Sequence, residues 1–252
     1  MKILTLIAFV LTASLLSAAE TYELKIYHLK SAADAKLWDG WMSHAGLRDL
    51  KQSGATQVGA FKVKLAEDAE DSRRFVLAVY PSTGAIRPFA AAAVIPRQDD
   101  AGAEAYLGTG PKEAPYTRVE SSLLTAFPGF SKLMDPAGDG GKDRYFELRT
   151  YENPNERAAA LKVEMFGKGG EIAVFNEVGL KSVFYGSARI AQNLPQLTYM
   201  VVHENEDAAK QAWSGFGESP SWAKLKKLQR YKGTVSKIYK HMLVALPFSE
   251  LK

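Results

Sequence analysis

The sequence predicts an α+β fold built from two tandem βαββαβ units. The first observation behind this is a stretch that occurs twice. Residues 145–151 alternate bulky apolar and polar side chains, the period-2 pattern of a half-buried strand. Residues 22–27 repeat it 124 positions upstream, so that Glu23 answers Glu147, Leu24 answers Leu148, Lys25 answers Arg149 and Tyr27 answers Tyr151. The second observation is that the same offset lays residues 75–79 on 199–203. The third is that residues 123–128 resemble 242–247 at a shift of 119. Three matches in order, at near-constant spacing, point to an internal duplication.

Each element has its own local reason. Residues 21–28 form the first strand. Ser31 is a helix N-cap for a helix over 32–52, whose Leu37, Trp38, Trp41, Met42, Ala45 and Leu50 fall near helical spacing, and Ser53-Gly54 ends it. Strands follow over 56–65 and 74–80. Residues 81–106 read as irregular helix, rich in alanine and interrupted by Pro88 and Pro96. A fourth strand covers 117–127. The second unit repeats the order: strand 144–151, a helix over 154–176 weakened by Gly167, Gly169 and Gly170, then strands 180–190 and 196–203. A helix over 206–216 comes next. Ser219-Pro220 opens another, a serine cap with proline at the first helical position, running to about Gln229. The last strand covers 234–246. This is the ferredoxin-like split motif twice over. A four-stranded sheet of that kind has helices on one face, and two copies in one chain cover the other by packing sheet against sheet. The expected organisation is 20–128 for the first repeat, 129–143 for a Pro/Gly linker and 144–252 for the second.

The first 19 residues read as a secretory signal peptide: a basic Met1-Lys2, an uncharged apolar run, then Ser17-Ala18-Ala19 before a cleavage at Glu20. The run is too short for a comfortable membrane span, and no second candidate follows. The expected location is therefore the periplasm or outside the cell. With Cys 0, no disulfide framework is available, so the core alone must hold the fold. Net charge is +4, and the densest basic run, around Lys224, Lys226 and Lys227, reads as a solvated helix face and not as a nucleic-acid patch.

The second half resembles the NIPSNAP family. The residues that carry the likeness are Phe146 to Tyr151, the Ser219-Pro220-Ser221-Trp222 turn and Pro247-Phe248-Ser249. Asn193 to Met200 and the Ala212-Trp213 pair resemble secreted bacterial members. The first half fits only as a diverged copy and lacks the Ser-Pro-x-Trp turn. The resemblance implies a dimeric α/β-barrel fold, here completed within one chain. It implies no catalytic residues, because the family has none settled to carry over.

Chemical motifs are sparse. None of the four histidines, His28, His44, His203 and His241, has another histidine at helical spacing, so no metal site is expected. There is no nucleophile elbow. Gly-Gly-Lys at 140–142 is followed by Asp143 where a phosphate loop needs Ser or Thr. No cofactor is implied. The best constellation lies on the first strands, where alternation puts Glu23, Lys25 and Tyr27 on one face, and Glu147, Arg149 and Tyr151 likewise. The expectation is that these point into the barrel interior, while Leu24, Ile26, Phe146, Leu148 and Thr150 face the helices. There they form either an ion-paired seam that fixes sheet register or a pocket for a small oxygenated or aromatic ligand. Trp213 and Trp222 are candidates to border a groove. Two functions remain open: binding of a small molecule or a protein partner, including a second copy of the chain, and cofactor-free monooxygenase or isomerase chemistry in the barrel interior. The missing nucleophile, metal set and base–orienter pair favour binding.

Overall fold

Alternation of side chains along the strands is what closes this molecule. The computed structural model describes residues 19–65, 71–87, 101–134 and 141–252. Its strands are β1 (Thr21–Leu29), β2 (Gln57–Val63), β3 (Arg74–Tyr80), β4 (Tyr116–Ala126), β5 (Tyr145–Glu152), β6 (Lys181–Ile190), β7 (Gln196–His203) and β8 (Lys237–Ala245). They form one closed barrel in the order β1-β3-β2-β8-β5-β7-β6-β4. Read by halves, β4-β1-β3-β2 and β8-β5-β7-β6 share one connectivity. Antiparallel pairing of β2 with β8 and of β4 with β6 joins them. The sheets therefore meet edge to edge as one barrel, and closure leaves no open edge to pair with another chain.

The helices lie outside. In the first half α1 (Ala32–Trp41), a π turn (Met42–Gly46) and α2 (Leu47–Gln52) fill the expected 32–52 range, and α3 (Ala101–Leu107) ends the crossover. The Ser31 hydroxyl accepts from Asp34 N, as its cap position predicts. In the second half the expected helix over 154–176 is two: α4 (Glu156–Phe166) and α5 (Glu171–Glu177). The break falls on the glycines. Gly170 has φ +96°, and a Cβ on Gly169 would sit 2.6 Å from the Met165 carbonyl oxygen. The late helices are α6 (Glu206–Glu218) and α7 (Pro220–Leu225); α7 stops before Gln229 and a short 3-10 turn (Gln229–Tyr231) follows.

Three expectations fall partly outside the described residues: residues 1–18 of the leader expected over 1–19, residues 88–100 of the crossover expected over 81–106, and residues 135–140 of the linker expected over 129–143. The described part of the linker packs onto the barrel, with Met134 N donating to the Val183 carbonyl at 2.8 Å. Among the described residues no helix is long and apolar enough to cross a membrane.

The barrel interior is apolar over most of its length. Tyr22, Leu24, Phe61, Phe75, Leu77, Phe146, Leu148 and Leu243 pack there in one cluster. Phe61 meets Phe146 across the junction of the halves, ring centroids 4.9 Å apart. One end is plugged by the C-terminal tail. Ala60 N donates to the Ser249 hydroxyl at 2.9 Å, and Leu251 drops fully buried into the same cluster.

This corrects the assignment of faces. The pleat groups the residues as expected, but Leu24, Ile26, Phe146, Leu148 and Thr150 point into the barrel, while Glu23, Lys25, Tyr27, Glu147, Arg149 and Tyr151 point out under the helices. The physical reason is width. An eight-stranded barrel has room inside for little more than its own side chains. Large apolar groups fill that space without stranding a charge. The helix-facing side, open along its margins, accommodates polar groups.

Candidate functional site

The site is built on the outer face of β5, where register with β7 and β8 brings its parts together. Tyr145 pairs with His203, Glu147 with Val201 and Met242 flanks Glu147 on β8. Across this face lies α6, started by Asn205, whose side chain accepts from Ala208 N at 2.8 Å. That placement lowers Trp213 onto the strands.

Glu147 is the hub. It is 2% exposed. Arg149 Nε donates to its Oε1 at 2.6 Å, Trp213 Nε1 donates to Oε2 at 2.8 Å, and His203 Nε2 lies 3.0 Å from Oε2. Burial alone would push the carboxyl up. The hydrogen bonds from His203, Arg149 and Trp213 and the Arg149 charge overcome this and hold it below the usual carboxylate range. The Arg149 guanidinium lies 3.7 Å from the Trp213 ring centroid, a cation–π stack. Burial works against its charge too, but Tyr199, Glu147 and Tyr151 hold its pKa above the ordinary value.

Behind Arg149 the network is buried. The Tyr151 and Tyr199 hydroxyls are 2.9 Å apart. Burial raises the pKa of both, so both remain phenols and donors. Deeper still, Lys162 on α4 donates to Glu171 on α5 at 2.6 Å, with the ammonium 4.5 Å from the Phe166 ring centroid. In front of Arg149 a groove of about 530 Å³ opens between α6 and the β5–β8 face. Tyr145, Trp213, Phe216 and Met242 give it apolar walls, with Lys210, Lys240 and Glu206 around it. Burial pushes the Tyr145 phenol up to about 12, with Glu206 and Glu147 adding to the shift.

The expected residues separate into two sets. Glu147, Arg149 and Trp213 line the groove. Tyr151 lies behind them, 7% exposed, packed on Tyr199 and Phe166. Trp222 packs on Phe216 at 4.5 Å and against Met165, Leu225 and Tyr231. The first-half set lies under the other helix layer. Lys25 pairs with Glu23 at 3.0 Å, the same i,i+2 relation as Arg149 with Glu147. Tyr27 is covered by Trp38 and Trp41, and Trp41 stacks on Tyr106 at 4.8 Å. The two sets do not meet as the interior arrangement required.

Sequence reasoning missed His203, Tyr199, Lys162 and Glu171. The 124-residue offset held a signal for the first two, since it places residues 199–203 on a strand beside the hub. Lys162 and Glu171 sit on separate helices, and nothing local marks them as a pair.

Residues 146–250 match the NIPSNAP family model. No curated protein matches the chain. Among solved structures, a protein from Fusobacterium nucleatum provisionally named a monooxygenase superposes with TM-score 0.55 at 11% identity, covering 91% of this chain and 93% of its own. One from Lactobacillus acidophilus, named likewise, gives TM-score 0.53 at 12% identity, over 90% and 94%. A NIPSNAP-like domain protein from Burkholderia xenovorans aligns at 18% identity over 42% of this chain and 89% of its own, with TM-score 0.39. At such identities the two long matches speak to the barrel fold and not to chemistry. The Glu147 hub on β5 and the Ser-Pro-x-Trp turn at α7 both lie inside the matched range, so the likeness of this chain to the NIPSNAP family rests on its C-terminal half.

Proposed function

We propose that this chain is an exported protein of two tandem ferredoxin-like repeats that binds a flat, apolar small molecule carrying an anionic group, in the groove between α6 and the β5–β8 face. The observation that carries the reading is the Arg149–Trp213 stack at the back of that groove. A ring can lie along Trp213, Phe216 and Met242. Its anionic end can meet Lys240, which has no carboxylate partner among the described residues. Concave sites with mostly apolar walls and a few fixed polar groups are the usual form of a small-molecule site.

Binding is favoured over catalysis by the state of the carboxylates. A cofactor-free oxygenation or isomerisation needs a base beside the substrate. Glu147 is held by three donors, and Glu206 pairs with Lys64. The monooxygenase names of the long structural matches come without the residues to support them here. The barrel interior, where the sequence placed such chemistry, is filled with apolar side chains over most of its length.

The test is calorimetric titration with 1-naphthoate. The wild type is expected to bind saturably. Lys240→Glu puts a like charge at the rim and is expected to weaken binding by roughly tenfold or more. Equal affinity in both proteins would remove the groove from consideration. Export is supported by the leader-like sequence of residues 1–19, a basic start and an uncharged apolar run followed by Ser17-Ala18-Ala19 before Glu20. Intact mass of the protein from its natural host is expected to start at Glu20. A product retaining the leader would refute export. The duplication is supported by the shared strand connectivity and the paired Glu-x-Lys/Arg bridges.

A further inference from the structure

The end of the barrel opposite the Leu251 plug has a different character. Inward-facing positions change there from apolar to polar on several strands at once. On β1 the series Tyr22, Leu24, Ile26 ends in His28. On β5 Leu148 gives way to Thr150, and on β7 Met200 gives way to Thr198. A cavity of about 680 Å³ opens at this mouth, more enclosed than the groove under α6 and separate from it. We propose that it is a second binding site, for a small, neutral, polyhydroxylated ligand of about monosaccharide size.

The charge pattern selects that class. The charges at the mouth already have partners. Glu120 holds His28 at 2.7 Å and Arg118 at 2.6 Å. Asp71 takes Arg73 Nε at 2.9 Å. Glu152 accepts from Asn193 at 3.0 Å and has Lys237 as its neighbouring cation. A charged ligand would have to break one of these pairs or enter without a counter-ion, which is costly. What remains is neutral and two-sided. Thr150 and Thr198 lie 3.0 Å apart with hydroxyls that can each donate and accept, and Gln196 adds an amide. His241 rests on Phe75, ring centroids 5.1 Å apart; burial and the Arg73 charge hold it below its ordinary value, hence as a neutral imidazole with one donor and one acceptor. Such groups match hydroxyls, which also donate and accept. Leu24 and Ile26 on the floor give an apolar surface for the C–H face of a ring. The volume lies within the range of small-ligand sites.

Saturation-transfer NMR and calorimetry with D-glucose and myo-inositol test this, with 1-naphthoate as the charged control. The wild type is expected to bind at least one of the two polyols saturably. Thr150→Val/Thr198→Val keeps side-chain volume and removes both hydroxyls. It is expected to weaken that binding by roughly tenfold or more while leaving 1-naphthoate unaffected. Lys240→Glu is expected to do the reverse. If the double valine variant fails to fold, Gln196→Ala, which removes the amide of the same mouth at a partly buried position, replaces it with the same expectation. The proposal is overturned if neither polyol binds the wild type, if the mouth variants bind it as well as the wild type does, or if Lys240→Glu abolishes it. Failure of 1-naphthoate to bind would count only against the groove.

Discussion

Glu147→Ala is expected to lower the unfolding free energy by about 3–5 kcal/mol, the loss typical of breaking a buried ion pair. The side chain is 2% exposed and serves three donors at once. Its removal leaves the Arg149 guanidinium under α6 with no carboxylate, and leaves the Trp213 indole N–H without its acceptor. Urea unfolding of the two proteins measures the effect. The matched control is Glu23→Ala at the corresponding position of the first half. Glu23 is 20% exposed at its side chain, and its expected cost is about 1 kcal/mol or less. Equal losses at the two positions would mean that burial does not separate them. The pH dependence has a definite sign. The folded pKa of Glu147 lies below its unfolded value. The stabilisation is therefore fully present above the unfolded value of about 4.3 and disappears as pH falls through the folded one. The gap between wild type and Glu147→Ala should narrow in acid.

What the sequence reveals and what it hides follow from different ranges of interaction. The strands and their order along the chain are visible because alternation is local, and the echo of residues 22–27 in residues 146–151 is visible because it keeps a fixed offset. The helix stop at Gly54 and the Ser219-Pro220 start are visible because each is a property of a few adjacent residues. The face of each strand is not visible. Alternation states that Glu147, Arg149 and Tyr151 share a side, but both sides of this sheet are covered, one by the opposite barrel wall and one by helices. Apolar residues occupy both. Deciding between them needs the width of the closed barrel, which no single strand encodes. The same limit hid the polar mouth. Thr150 and Thr198 are unremarkable in sequence, and only register makes them neighbours. Glu147 and Arg149 pair directly at 2.6 Å along β5, and β7 contributes His203 as well.

The Lys162–Glu171 pair gives the second large effect, with the opposite pH sign. The two side chains are 6% and 4% exposed, 2.6 Å apart between α4 and α5. Lys162→Met keeps the length of the stem and removes the ammonium. Near pH 8 it is expected to cost about 3–5 kcal/mol, because Glu171 is left buried without its cation. Burial already pushes the Glu171 carboxyl above its ordinary range, against the pull of Lys162 and, more weakly, Arg149. Without Lys162 it should rise further and hold a proton in the folded state that the unfolded chain gives up. A folded value above the unfolded one means that stability falls as pH rises between the two. The variant should thus recover stability in mild acid, the reverse of the trend at Glu147. Replacing both residues, as Lys162→Met/Glu171→Leu, removes the two desolvated charges together. That protein is expected to match the wild type or exceed it by about 1–4 kcal/mol. Urea melts of the single and double variants at mildly acidic and mildly alkaline pH complete the cycle. A double variant as unstable as Lys162→Met at both pH values would show that shape at the α4–α5 contact, and not the buried charge, is what the pair supplies.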